Sequence, residues 1–159
     1  MMQRRVLSIL AAALFMTACT VMTGGGAAPA GGTMPASIID PYLEIQTALA
    51  DDNTANVKAN AGNIATAATA LGAPAMKITT AATQLSAAAS APEPDIQSVR
   101  DRFGVLSEAI DTYMTGLKLS APGVRVAMCP MVNKPWLQKG DALANPYYGK
   151  DMLTCGNFR

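Results

Sequence analysis

Five sulfur-bearing side chains lie near the C-terminal end of the chain, in two short motifs. Cys129 and Met131 belong to the sequence CPM, which Met128 precedes, and Met152 and Cys155 belong to the sequence MLTC. Thiolates and thioethers are soft ligands, and they select soft ions such as copper(I) and silver(I). These residues are therefore candidate ligands of copper(I) or silver(I).

The spacing of the motifs limits how they could bind one ion. Cys129 and Met131 are separated by one residue, so both sulfurs reach the same ion only around a turn, which Pro130 helps to form. Met152 and Cys155 are spaced for one helical turn or a loop. The chain has no histidine, so a metal site would have to use sulfur or carboxylate ligands.

A disulfide between Cys129 and Cys155 is the alternative interpretation. In an oxidising compartment, two cysteines in one small domain usually form a bridge, which would contribute about 3–4 kcal/mol in the chain-entropy model. The methionines would then pack beside the bridge, and Trp136, Tyr147 and Tyr148 would form a small aromatic core. The residues leave both interpretations open.

Several function classes are not expected. Without histidine the chain lacks the commonest general base, which excludes the usual serine and cysteine triads. The cysteines do not have the CxxC spacing of thiol oxidoreductases, so we predict that the protein is not an enzyme. Basic residues are scattered, without a basic and aromatic stripe, so no nucleic-acid partner is expected.

The N-terminus has the pattern of a bacterial export signal. Arg4 and Arg5 precede an apolar run from Val6 to Met16, which is too short for a spanning helix and typical of a signal peptide. The run ends in MTAC, which resembles the bacterial lipobox. Residues 1–18 are therefore predicted to be the signal peptide, and Cys19 the lipidation site.

Residues 19–37 are predicted to be a flexible stalk, because they are uncharged and rich in glycine, alanine and proline. Acyl chains on Cys19 would anchor the protein to a membrane, since each buried methylene contributes about 0.8 kcal/mol. Thr20 stands where aspartate is associated with inner-membrane retention, which favours the outer membrane. We expect a periplasm-facing lipoprotein of the cell envelope.

The middle of the chain has the apolar periodicity of helices. Asp40 and Pro41 predict the start of a first helix. The strongest pattern runs from Ile96 to Leu117, directly after the candidate N-cap Asp95. The patterns predict a mainly α fold, an up-and-down bundle of about four helices over residues 38–120.

Residues 121–159, the C-terminal segment, have a different pattern. Val124 to Met128 alternate as in a short strand, and the sequence NPYYG from Asn145 marks turns. We expect a strand- and loop-rich segment that packs on the helical bundle.

The C-terminal motifs resemble a known family. The sequences CPM, NPYYG and MLTCG, with Trp136 between the first two, resemble a small exported domain of unknown function. That domain occurs alone or at the C-terminus of periplasmic adaptor subunits of copper and silver efflux pumps. The sequence YLEIQTALADDN at 42–53 is similar to the start of the domain, so the resemblance covers nearly all of the mature chain.

The resemblance implies a helical domain whose paired cysteines and neighbouring methionines handle copper. Cys129, Met131, Met152 and Cys155 match the family pattern by position. Members often have a histidine directly before the first cysteine, where this chain has Met128. The change loses an imidazole, which suits copper(II), and keeps a soft ligand for copper(I).

Two functional hypotheses follow. The first is a lipoprotein that binds copper(I) or silver(I) in envelope metal handling or efflux. The second is a disulfide-stapled structural or interaction module that docks to an envelope or efflux partner without metal, with Trp136, Tyr147 and Tyr148 as candidate partner-binding residues.

Overall fold

The computed structural model describes residues 31–159, which form four α-helices followed by a small β-sheet. The helices are α1 (Ala36–Ala50), α2 (Val57–Ala70), α3 (Met76–Ala88) and α4 (Ile96–Leu117). The strands are β1 (Val124–Cys129), β2 (Lys134–Lys139) and β3 (Asn157–Phe158). The predicted mainly α fold is confirmed. The predicted signal peptide, Cys19 and residues 19–30 of the predicted stalk lie outside the described residues.

Consecutive helices pack against each other: α1 contacts α2, α2 contacts α3, and α3 contacts α4. Alanines contribute much of the contact between the middle helices, where Ala61, Ala68 and Ala82 are fully buried with Ile64 and Ile78. Small side chains let neighbouring helices approach closely. Within residues 31–159, none of the helices is both long and apolar enough to cross a membrane.

The helix ends agree with the sequence in one case and differ in another. Asp95 caps α4, since its carboxylate accepts hydrogen bonds from the backbone N–H groups of Gln97 and Ser98, as predicted. The predicted start of the first helix at Asp40 is wrong, because α1 begins at Ala36 and contains Pro41. Buried isoleucines at 38 and 39 extend its apolar face by a turn.

The last residues of the predicted stalk belong to the folded body. The N–H of Gly31 donates to the carbonyl of Leu117, and the N–H of Met34 donates to the carbonyl of Ser120, both at 2.8 Å. The side chain of Met34 is only 3% exposed. The folded body therefore includes residues before position 38.

The C-terminal segment contains a three-stranded antiparallel sheet in the order β2–β1–β3. β1 and β2 form a hairpin, in which Cys129 pairs with Lys134. β3 pairs along the other edge of β1, where Phe158 lies opposite Ala127. This pairing returns the end of the chain to the strand that carries Cys129, while β2 contacts α1 and α4.

Tyr42 connects α1, α4 and β2 inside the core. Its buried ring stacks on Phe103, with centroids 5.1 Å apart. Its hydroxyl shares a 2.7 Å hydrogen bond with the hydroxyl of Ser107 and accepts a 3.1 Å hydrogen bond from the N–H of Leu137. Burial raises the pKa of Tyr42 well above its usual range, so the phenol stays neutral. One hydroxyl therefore satisfies polar groups from a helix and a strand.

We predict that Tyr42→Phe lowers the free energy of unfolding by about 1–3 kcal/mol, because two buried polar groups each lose a hydrogen-bond partner. Urea denaturation followed by circular dichroism measures the change. Tyr148→Phe is the matched control, because the Tyr148 side chain is only half-buried. Equal effects of the two substitutions would contradict the role given to the Tyr42 hydroxyl.

Candidate metal centre at the C-terminal cysteine pair

The two cysteines of the described residues, Cys129 and Cys155, are both free thiols, and Asn145 links them. Cys129 ends β1 and is fully buried, whereas Cys155 is half-buried shortly before β3. The side-chain Nδ2 of Asn145 donates to Cys129 Sγ at 3.4 Å and to the Cys155 carbonyl oxygen at 2.7 Å. One amide group thus joins the sulfur of one cysteine to the backbone of the other.

Asn145 is fully buried and oriented by its own loop. Its Oδ1 accepts a 2.8 Å hydrogen bond from the N–H of Tyr147, an Asx turn. Its backbone N–H donates to the carbonyl of Leu153 at 2.7 Å, and its carbonyl accepts from the N–H of Gly149 at 3.1 Å. These contacts leave the two side-chain N–H groups facing the cysteines.

Polar side chains from two helices hold the residues on either side of Asn145. Gln46 on α1 donates its Nε2 to the carbonyl of Ala144 at 2.7 Å. Arg100 on α4 donates its Nε to the carbonyl of Pro146 at 3.0 Å. Gln46 and Arg100 are both buried, and such donors require partners inside a protein. The two contacts therefore fix the position of this loop on the helices.

Arg100 also forms an ion pair with Asp52, in the turn after α1. Its Nη2 donates to Asp52 Oδ1 at 2.6 Å and to the carbonyl of Leu49 at 3.1 Å. The other oxygen of Asp52 accepts from the N–H of Lys150 at 3.3 Å. The hydrogen bond from Arg100 holds the pKa of Asp52 below its usual range. The pair joins α1, α4 and the loop before Cys155.

Gly149 lies directly against this ion pair. Its φ is +57°, and a Cβ there would overlap the Asp52 carboxylate and the Arg100 guanidinium. The loop can therefore pass over the ion pair only because residue 149 has no side chain.

Trp136 and Tyr147 lie in the core. Trp136 is fully buried and donates its Nε1–H to Gln138 Oε1 at 2.8 Å. Tyr147 is 3% exposed and packs edge-on against Trp136, with ring centroids 6.1 Å apart. The Tyr147 hydroxyl donates to the carbonyl of Pro135, and burial raises the pKa of Tyr147. Neither ring is on the surface, where a residue that binds a partner would have to lie.

The methionines predicted as ligands differ in how far they are exposed. Met131, in the turn between β1 and β2, is 61% exposed, and Met152 is 37% exposed. Met128 is half-buried on β1, and so is Tyr148, the third residue predicted to bind a partner. The exposure of Met131 and Met152 differs from the expectation that they pack beside a disulfide.

The donor atoms fit a soft monovalent ion by type. Residues 31–159 hold no group of three or more histidine, cysteine, aspartate or glutamate side chains that could hold a metal. A site made of two thiols and neighbouring thioethers does not require such a group. Copper(I) and silver(I) are the ions that these sulfur ligands select.

Three residues that hold the site were not predicted from the sequence: Asn145, Gln46 and Arg100. Asn145 was recognised only as part of an Asn-Pro turn, and no sequence pattern marked Gln46 as a residue of the site. Arg100 lies on the apolar face of α4, beside Val99 and near Phe103. A charge within a buried stripe needs a partner, so this position could have been identified.

In comparisons with protein-family models, with curated proteins and with solved structures, no match to this chain was found. A functional proposal therefore rests on the site itself and on the sequence motifs.

We predict that the stabilising effect of the Asp52–Arg100 pair disappears at low pH. Because the folded-state pKa of Asp52 is lowered, its contribution is complete above the unfolded pKa, about 4, and is lost as pH falls through the folded value. Asp52→Asn removes the titrating group, and asparagine tolerates the positive φ of 59° at this position.

Thermal unfolding between pH 2 and 8 measures this effect. The wild type should be more stable than Asp52→Asn at pH 7, and the difference should shrink towards zero below about pH 4. A difference that does not change with pH would show that the carboxylate charge plays no part.

We predict that Gly149→Ala destabilises the protein more than Gly140→Ala. Both glycines have positive φ, +57° and +83°, but a Cβ at Gly140 meets no atom within 4 Å. Both substitutions should lower the free energy of unfolding by about 1–2 kcal/mol through left-handed backbone strain. Gly149→Ala should lower it by about 1–3 kcal/mol more, because its Cβ overlaps Asp52 and Arg100. Urea denaturation of the two variants gives the comparison, and equal losses would rule out the close approach at Gly149.

Proposed function

We propose that this chain is an exported bacterial lipoprotein that binds copper(I) or silver(I) through the sulfur atoms of its C-terminal segment. The observation that supports the proposal most is the pair of free thiols, Cys129 and Cys155, joined by the Asn145 amide. In this proposal the two cysteines are the thiolate ligands. Met131 and Met152 add thioethers, with Met128 as a further candidate.

The exposure of the methionines is consistent with this role. Met131 and Met152 are among the few large apolar side chains of the described residues that stand out as exposed, with Met76 and Val105. Methionine is unbranched and flexible, so a surface thioether can turn towards an ion without disturbing the core. The cysteines, by contrast, are held by the sheet and by the loop.

The folded body would supply a prearranged site. A bound soft ion requires deprotonated cysteines, so binding releases protons. Asn145 holds an N–H donor against the sulfur of Cys129, and Gln46 and Arg100 fix the loop that carries Asn145. Outer contacts of this kind orient metal ligands and tune their basicity.

We further propose that Cys19 is lipidated and that the body faces the periplasm, most consistently at the outer membrane. The export-signal pattern and the likeness of MTAC to a lipobox support this location. The likeness of the C-terminal motifs to domains associated with copper and silver efflux adaptors supports an adaptor of such a pump as partner. The four helices, each in contact with the next, would form an up-and-down bundle that carries the site.

A second candidate function is a disulfide-stapled module that docks to an envelope or efflux partner without metal. Two observations favour it: the Asn145 amide contacts both cysteines, and Trp136 and Tyr147 lie in an aromatic core with Phe103. The two sulfurs are not bonded to each other in the structure. In this case the C-terminal segment would serve stability and shape.

We predict that the reduced full-length protein, purified from membranes of an expressing bacterium, binds one copper(I) against a competing chelator under anaerobic conditions. Cys129→Ser or Cys155→Ser should lower the affinity by more than the roughly 10–100-fold that loss of an outer contact costs. Met131→Leu should lower it less, because other thioethers remain.

Met76→Leu is the matched control, because Met76 on α3 is 62% exposed, close to the 61% of Met131, and lies outside the C-terminal segment. It should leave the affinity unchanged. Alkylation of thiols with and without reductant reports the state of the cysteines in the same preparation. A bridged pair whose reduced form takes up no copper(I) would favour the stapled module.

A further inference from the structure

We infer that Asn145 is the residue that stabilises the reduced form of the cysteine pair and, once a metal ion has displaced the thiol protons, favours a monovalent soft ion over a divalent one. The inference rests on the proposed function, which it deepens, and it starts from the contacts of one buried amide. Asn145 does not reach the ion in this role, so it is a positioning residue rather than a ligand.

The net charge of the cysteine pair depends on the ion that it binds. Two thiolates with one monovalent ion keep one net negative charge, whereas a divalent ion would leave the pair neutral. Cys129 is fully buried, and an uncompensated charge in such a place is unfavourable. Lys134, opposite Cys129 in the hairpin, has its ammonium 2.6 Å from the Glu108 carboxylate, so this cation is already neutralised.

The amide of Asn145 can stabilise the remaining charge by donating a hydrogen bond to it. Its Nδ2 donates directly to Cys129 Sγ, and a metal-bound thiolate accepts such a hydrogen bond more strongly than a neutral thiol does. Such a bond is stronger inside a protein than in water. The donor therefore helps most when the site keeps a negative charge, which is the case for a monovalent ion.

The orientation of the amide is fixed from three sides. Its oxygen accepts from the N–H of Tyr147, and its nitrogen donates to Cys129 and to the carbonyl of Cys155. Turning the amide over would place its oxygen against the sulfur and against the carbonyl, and the N–H of Tyr147 would lose its acceptor. The same group that donates to one thiol thus fixes the backbone of the other.

Asn145→Asp tests the inference, because it keeps the shape and the acceptor for Tyr147 and replaces the donor with a carboxylate. The affinity of the reduced full-length protein for copper(I) should fall by about 10–100-fold. The affinity for zinc(II) should fall much less, because a divalent ion offsets the added charge. The copper-to-zinc affinity ratio should therefore fall at least tenfold, and it should also fall in Asn145→Ser, which adds no carboxylate that could bind zinc.

Asn60→Asp is the matched control. Asn60 on α2 is also buried, 8% exposed, and it donates its Nδ2 to Glu44 Oε2 at 2.9 Å. This variant loses a comparable donor and gains a comparable charge away from the cysteines, so both metal affinities should stay unchanged. Asn145→Ser, which removes the amide without adding charge, should lower the copper(I) affinity less than Asn145→Asp.

A measurement without metal tests the same contact. Glutathione disulfide oxidises the pair: the two cysteine S–H bonds break, a Cys129–Cys155 S–S bond forms, and the glutathione S–S bond is reduced to two thiols that take up the two protons. Asn145→Asp should shift this equilibrium at least tenfold towards the protein disulfide, about 30 mV, because the reduced form loses its donor. Asn60→Asp should not shift it.

The outcomes separate the inference from the proposed function. If the wild type binds copper(I) but Asn145→Asp changes neither the affinity ratio nor the glutathione equilibrium, the inference is overturned and the proposed function stands. If the wild type binds no copper(I) but the equilibrium shifts, the proposed function fails and the role of Asn145 at the thiol pair stands. If the wild type binds no copper(I) and Asn145→Asp leaves the glutathione equilibrium unchanged, both are overturned.

Discussion

The position of the C-terminal segment on the helices depends on the hydrogen bonds of Arg100. A guanidinium this deeply buried must have its donors satisfied, because an unpaired buried charge is strongly destabilising. Its partners come from three places: the carbonyl of Leu49 at the end of α1, the carboxylate of Asp52 in the next turn, and the carbonyl of Pro146. Because the fork of the guanidinium is rigid, these partners can be satisfied together in only one arrangement. That arrangement fixes the residue next to Asn145.

Aromatic packing also holds the C-terminal segment on the helices, but it does not determine the exact position of the loop. The rings of Tyr42, Phe103, Tyr147 and Trp136 form a continuous series from the helices into the C-terminal segment, with neighbouring centroids 5.1, 5.9 and 6.1 Å apart. Such rings bury large areas, but apolar contact alone tolerates small shifts. The hydrogen bonds of Tyr42, Gln46 and Arg100 are directional. They fix the N–H of Leu137 and the carbonyls of Ala144 and Pro146 against the helices. Buried polar contacts therefore fix the position of the loop that lies against the cysteine pair.

The sequence predicted those parts of the fold that depend on local patterns. Ile96 to Leu117 was predicted as a helix with Asp95 as its cap, because both signals lie within a few residues of each other. The start of α1 was missed because burial of Ile38 and Ile39 outweighed the start signal at Asp40 and Pro41. The sulfur residues were found from their chemistry, but Asn145 was not, because its partners are 10 and 16 residues away. Pairing of β1 with β3 brings them together, and no local pattern shows that pairing.

The contacts of Asn145 also bear on the choice between a thiol pair and a disulfide. A disulfide sulfur is a weak acceptor, so the N–H group that now donates to Cys129 would have a poorer partner than a metal-bound thiolate. Leaving a buried donor unsatisfied costs about 1–3 kcal/mol. The bridge would contribute about 3–4 kcal/mol through loop closure, so the unsatisfied donor would offset part of that gain. The buried amide therefore shifts the balance between the two forms towards the reduced form, which is the form that a soft metal ion requires.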